Sequence, residues 1–131
     1  MIRLWDYQPG TGKNEIRAWA QALSVRERAQ LNQKLDMVTC VNLETARSLR
    51  FLVGVSGDHH NLYRLIVHSD HMLSPILCWG PIEPQTEITL LCGAVEKDFD
   101  LEPVSAVERA EAYRTAILST KGRNRICHER F

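Results

Sequence analysis

Hydrophobic positions in this chain change period twice. Over residues 2–7, IRLWDY, they alternate with polar ones, the pattern of a short strand with one buried face. After the turn-forming QPGTGKN they recur at helical spacing. Ile16, Trp19, Ala20 and Leu23 fall on one stripe with Asn14 as N-cap. Ser24 and Glu27 make a capping-box pattern, and Leu31, Leu35 and Val38 continue as a second stripe. The spacing predicts two helices in a tight hairpin, over 14–23 and 25–39.

From Arg47 to Lys97 the pattern becomes that of consecutive strands: RSLRFLV, NLYRLIVHS, MLSPILCWG and TEITLLCGAVEK. Residues 42–50 read equally as a short helical turn or as the lead into the first of these. GDHHN and SDH are polar reversals. Pro75 and Pro81 bracket the third strand, which predicts an edge position, because proline cannot donate to a ladder. The mostly apolar run from Thr86 to Val95 predicts a central strand. Ser105 and Glu108 then form a second capping-box pattern after Pro103. Val107, Ala110, Tyr113 or Arg114, and Ile117 supply a final helical stripe that ends at Lys121–Gly122. The predicted class is α+β: two N-terminal helices packed on a four- to five-stranded, mainly antiparallel sheet, with a C-terminal helix, all helices on one face.

Length and composition narrow the class. A chain of 131 residues that is 44% apolar fits one globular domain and not a disordered protein. No apolar run reaches the roughly 20 residues needed to span a bilayer. MIRLWDYQPG has no apolar signal region, so the expected location is cytoplasmic. Cys40, Cys78, Cys92 and Cys127 form no CxxC pair, which leaves a cysteine zinc site without support; Cys78 and Cys92 read as small buried strand residues. Formal charge is zero, yet unevenly spread. Pro81–Glu111 holds eight acids and two bases, whereas Ser119–Phe131 holds four bases and one acid. The division expected from this is a domain over 1–118 and a basic tail over 119–131, STKGRNRICHERF, free to contact nucleic acid or protein.

Few residues offer chemistry. GTGK lacks the GxxxxGK spacing, and Asn14 stands where a phosphate loop needs Ser or Thr, so it reads as a turn. His68, His71 and the His59–His60 pair lack a carboxylate or cysteine at familiar ligand spacing; they read as turn and loop residues, with no metal and no cofactor expected. Arg64 is the exception. Flanked by Leu62, Tyr63, Leu65 and Ile66, it must pair with an acid such as Glu87 or Glu96, or face an anion.

The series R47-S-L-R50, a loop, L62-Y-R64-L-I-V, I88-T-L-L-C-G-A-V-E-K97, a proline, and A106-V-E-R-A110 resembles the RelE/ParE toxin superfamily, in its HigB-like, phage-derived host-addiction branch. The resemblance covers roughly residues 1–118. It implies a small microbial RNase-like fold and a ribosome-dependent, metal-independent mRNA endonuclease held inactive by a cognate antitoxin, of helix-turn-helix type. Its alternative is a non-nuclease protein of the same fold that binds a partner or, as in the ParE branch, poisons DNA gyrase. Carried over by position, Arg64 matches the arginine on the scissile phosphate, Arg47 and Arg50 the basic residues before the core strands, and Lys97 the basic residue after the last strand. His59 or His60 is then the candidate base, since imidazole changes charge near neutral pH. The departures are the acids around Lys97 (Glu96, Asp98, Asp100 and Glu102), the absence of a tyrosine between Lys97 and Pro103, and the long MLSPILCWGPIEPQ segment.

Overall fold

The computed structural model describes residues 2–131; Met1 lies outside them. The chain opens with strand β1 (Arg3–Tyr7). Helix α1 (Glu15–Gln21) follows, capped by the Asn14 side chain, which accepts from the Arg17 N–H at 3.0 Å. Helix α2 (Val25–Val38) begins on the expected box: the Glu27 N–H donates to Ser24 Oγ at 3.1 Å, and the Ser24 N–H to the Glu27 carboxylate at 3.2 Å. The ambiguous segment resolves as helix α3 (Leu43–Ser48) with Asn42 as its cap. Strands β2 (Leu52–Gly54), β3 (Tyr63–Leu65), β4 (Val67–His68), β5 (Met72–Leu73), β6 (Ile76–Trp79), β7 (Glu87–Cys92), β8 (Val95–Lys97) and β9 (Asp100–Glu102) come next, then helix α4 (Ala106–Ser119) and strand β10 (Arg125–Cys127).

The class is α+β, with more strands than the four or five expected. A six-stranded sheet has the order β10-β1-β7-β6-β3-β2, and a four-stranded sheet the order β4-β5-β8-β9. Among the described residues, only β1 and β7 pair in parallel; the other pairings are antiparallel. The two sheets share their chain segments: β3 runs into β4, β5 into β6, and β7 into β8. The ladder continues through the bend, where the Leu65 N–H donates to the Pro75 carbonyl and the Ser74 N–H to the Ala94 carbonyl, both at 2.9 Å. Three long strands are thus each folded into two. At the bend Gly93 admits the Trp19 ring of α1 where a β-carbon would collide with it.

That bend corrects the edge assignment of the third strand. β6 lies inside the sheet between β3 and β7, and all four of its residues are buried. Pro75 sits at the fold in the strand, where its missing N–H removes no ladder bond and its carbonyl is still used.

Helices cover both faces of the sheet, not one. Leu77, Trp79, Ile88 and Leu90 pack with Ile16, Ala20, Leu31, Leu35 and Val38 of α1 and α2. Ile76, Cys78, Leu91 and Cys92 pack with Ala106, Ala110 and Ile117 of α4. Side chains of a strand alternate between faces, so strands buried along their whole length, such as β6 and β7, need two cover layers.

The basic segment 119–131 is part of the fold. β10 pairs with β1 across Trp5↔Cys127, Asp6↔Ile126 and Tyr7↔Arg125. Arg125 lies 2.7 Å from Glu87 and stacks on the Trp5 ring. His128 reaches the buried Asp6 at 2.7 Å, and the Phe131 backbone exchanges two hydrogen bonds with the Asn32 side chain of α2.

Candidate functional site

Alternation along β3 and β4 decides what Arg64 can touch. Leu65 and Val67 point into the core under α1 and α2, so Arg64, Ile66 and His68 share the other face. Arg64 stands opposite Val53 of the edge strand β2. On the same face, His68 is opposite Met72, and Met72 opposite Glu96. These residues line an open cleft of about 480 Å³ at the bend. Val53, Ile66 and Met72 are among its apolar lining residues, and Lys34 and Arg50 line it as well.

Two further elements bring those two cations in. Lys34 projects from α2 with its ammonium 4.8 Å from the centre of the Phe51 ring. Arg50 follows the end of α3, where the Phe51 N–H donates to the Ala46 carbonyl and the Arg50 N–H to that of Arg47. This is a Schellman ending, and its left-handed position belongs by preference to glycine. Arginine occupies it, at φ 59°, against a steric cost of roughly 1–2 kcal/mol. Lys121 holds the same left-handed position at the end of α4, at φ 54°, so the conformation belongs to the helix ending; what matters for Arg50 is that the ending sets it beside the cleft.

Three permanent cations, Lys34, Arg50 and Arg64, therefore face one carboxylate, Glu96. The Arg64–Glu96 contact is a single one, 3.4 Å long, between side chains that are 21% and 26% exposed. It leaves most of the guanidinium fork free. Contrast Arg125, only 6% exposed and held 2.7 Å from Glu87.

The other residues singled out from the sequence lie elsewhere. Lys97 is exposed opposite Asp100, and alternation along β8 turns it away from Glu96 and the cleft. Arg47 stacks over the Tyr63 ring, 5.6 Å from its centre, in a separate groove of about 900 Å³ shared with Trp79 and Glu44. His59 lies 3.4 Å from Glu111 of α4, and His60 is an exposed loop residue; neither lines the cleft. Of the six, only Arg64 and Arg50 meet.

Glu96, one of the two acids named as a possible partner of Arg64, is the one that meets it, whereas Lys34 and His68 complete the cleft without having been singled out for it. The signal for His68 was present, since 64, 66 and 68 share a parity. His68 is a β4 residue rather than the turn residue expected, whereas His71 lies in the turn and donates from Nδ1 to Glu27 at 2.9 Å. No local pattern joins Lys34 to Arg64. Among the described residues, no three His, Cys, Asp or Glu side chains are grouped to hold a metal ion. No helix among them is long and apolar enough to cross a membrane.

The arrangement suits an anion with two or more oxygens. Guanidinium forks grip phosphate bidentately, and a bowl of like charge raises local anion concentration. His68 and Glu96, on either side of Met72, add a proton donor and acceptor about two strand spacings, roughly 10 Å, apart at the backbone. Comparison with known protein families, with curated proteins and with solved structures finds no match to this chain.

Proposed function

We propose that this protein is the toxin of a toxin–antitoxin module, a ribosome-dependent, metal-independent endoribonuclease that cleaves mRNA in the Arg64 cleft. One observation carries the reading: Arg64, Arg50 and Lys34 converge on one open face that also holds a histidine and a carboxylate. The α+β layout, with a helical pair after the first strand and a helix after the sheet, supports it.

The chemistry is transfer of the phosphoryl group to the neighbouring 2′-hydroxyl. Glu96 takes the 2′-OH proton as the 2′-oxygen attacks phosphorus. Arg64, Arg50 and Lys34 stabilise the negative charge that grows on the non-bridging oxygens. The bond to the 5′-oxygen breaks, and protonated His68 supplies that oxygen with its proton. The products are a 2′,3′-cyclic phosphate and a free 5′-hydroxyl. In this scheme the phosphate replaces Glu96 as the partner of Arg64, which releases the carboxylate for its role as base. The ribosome presents the single strand, and a cognate antitoxin, expected to be of helix-turn-helix type, blocks the cleft.

Induction in bacteria tests the reading. The wild type arrests growth and leaves mRNA fragments with cyclic phosphate ends. Arg64→Ala removes a charge stabiliser worth about 3 kcal/mol, so cleavage falls a hundredfold or more. Unimpaired growth with intact mRNA overturns the proposal.

A second reading rests on the same ion pair. Arg64 already has a carboxylate partner in Glu96, the first acid of the 96–102 segment, and that acidic segment repels an RNA backbone, which favours a protein of this fold that binds a partner or inhibits gyrase rather than cutting RNA. Growth arrest with whole mRNA and accumulating DNA breaks selects it.

A further inference from the structure

The hairpin joining β8 to β9 turns in two residues, Asp98 and Phe99, at φ 52° and φ 70°. A two-residue turn with both residues left-handed favours Asn-Gly, because glycine meets no steric cost at the second position. Here that position carries a phenylalanine whose residue is 97% exposed. The strain is not repaid by burial. Val104, just before α4, is 92% exposed beside it.

Phe99 and Val104, with Leu101 and Val107, line a hollow of about 370 Å³, and Arg64 forms another wall of it. Arg64 thus belongs to two adjoining depressions of different character. The cleft toward His68 is cationic. The hollow toward Phe99 is mixed: its four apolar residues stand beside Ser56 and Asp100, and Arg64 is its one cation. A phosphate suits the first. An uncharged planar ring suits the second, and the acids of the hairpin discourage another phosphate there.

We propose that Phe99 is a stacking platform for the base of the nucleotide whose phosphate lies on Arg64, so that the protein selects single-stranded RNA with that base turned out of any helix. The inference rests on the reading of the Arg64 cleft as an RNA site. An exposed aromatic ring offers a face that any base can cover, and only an unpaired strand leaves its bases free to do so.

The probe is a short, fluorescently labelled, single-stranded 2′-O-methyl oligoribonucleotide, which cannot be cut because its 2′-oxygen is blocked; binding is read by anisotropy. Phe99→Ala is expected to weaken binding about 5- to 150-fold, the span of base–aromatic stacking. Phe99→Tyr keeps wild-type affinity, and Phe99→Leu, which retains apolar area without a π face, binds like Phe99→Ala. An abasic site at one position of the oligonucleotide abolishes the difference between wild type and Phe99→Ala. Since the side chain is exposed, these variants leave both cores unaltered. If Arg64→Ala weakens binding while Phe99→Ala or Phe99→Leu matches the wild type, the stacking inference fails and the cleft reading stands. If Arg64→Ala binds as well as the wild type, or the wild type binds neither the free oligonucleotide nor the same oligonucleotide held as message in the A site of a bacterial ribosome, the cleft reading fails and takes this inference with it. A Phe99→Ala effect on self-association in place of RNA affinity also overturns it, and makes the tip a contact between copies.

Discussion

At the scale of single residues, Arg64 and Arg125, both in strands, divide by what surrounds them. Arg64, in the most apolar stretch, was the one expected to demand a partner; it keeps a loose, half-open contact with Glu96. Arg125, in a segment read as a free basic tail, is the one sealed between Glu87 and Trp5. Neighbours in sequence say little about burial when the covering residue comes from a distant strand. The cysteines were easier to read, because a small apolar side chain inside a buried run has one place to go. Burial pushes the Cys78 and Cys92 thiols up to about 12, so both stay protonated and unreactive. Alkylation of the native protein with iodoacetamide near pH 8 is expected to modify the exposed Cys40 and Cys127 alone, with all four reacting in denaturant. Rapid native labelling of Cys78, read by mass spectrometry, would contradict that placement.

Elements were legible where their signal is local. Caps depend on residues three apart, so the Asn14 and Ser24–Glu27 signals survive folding intact. The Ser105–Glu108 box does not form: Ser105 is not extended, at φ −80° and ψ 1°, and its side chain makes no cap hydrogen bond. The Ala106 N–H instead meets the Pro103 carbonyl, so a turn already leads into α4. The α2 cap also sets a pH dependence. Hydrogen bonding from His71, and then from the Ser24 backbone and hydroxyl, holds the Glu27 carboxyl below its ordinary value of 4.5, against the opposing effect of burial. A carboxyl with a depressed folded pKa stabilises the fold above its unfolded value and loses that contribution as pH falls through the folded one. Denaturant unfolding at a series of pH values should show stability dropping below about pH 4.5, with a shallower drop for Glu27→Gln. Equal acid slopes for the two proteins would remove Glu27 as the source. Ser24→Ala should cost about 1 kcal/mol at neutral pH.

For the whole molecule, the last nine residues close the structure. Without them β1 becomes an open edge, the buried Asp6 loses His128, and Glu87 loses Arg125. Leaving one buried charge unpaired costs about 3–5 kcal/mol, against a net stability of about 5–15 kcal/mol for a domain. Deletion of residues 123–131 should therefore give an unfolded or aggregating protein by size exclusion and thermal melting; a truncated chain that melts like the full one would show the strand to be dispensable. The sequence by itself determined the α+β class, the helical hairpin, the final helix and the central β7, because periodicity and capping are short-range properties of the chain. Only the tertiary structure decided that three strands fold over into a second sheet, that helices cover both faces, and that the tail is a strand. It alone brought Lys34, Arg50, Arg64, His68 and Glu96 to one cleft. Those outcomes depend on ladder pairings and packing between residues tens of positions apart, and no local pattern encodes such a pairing.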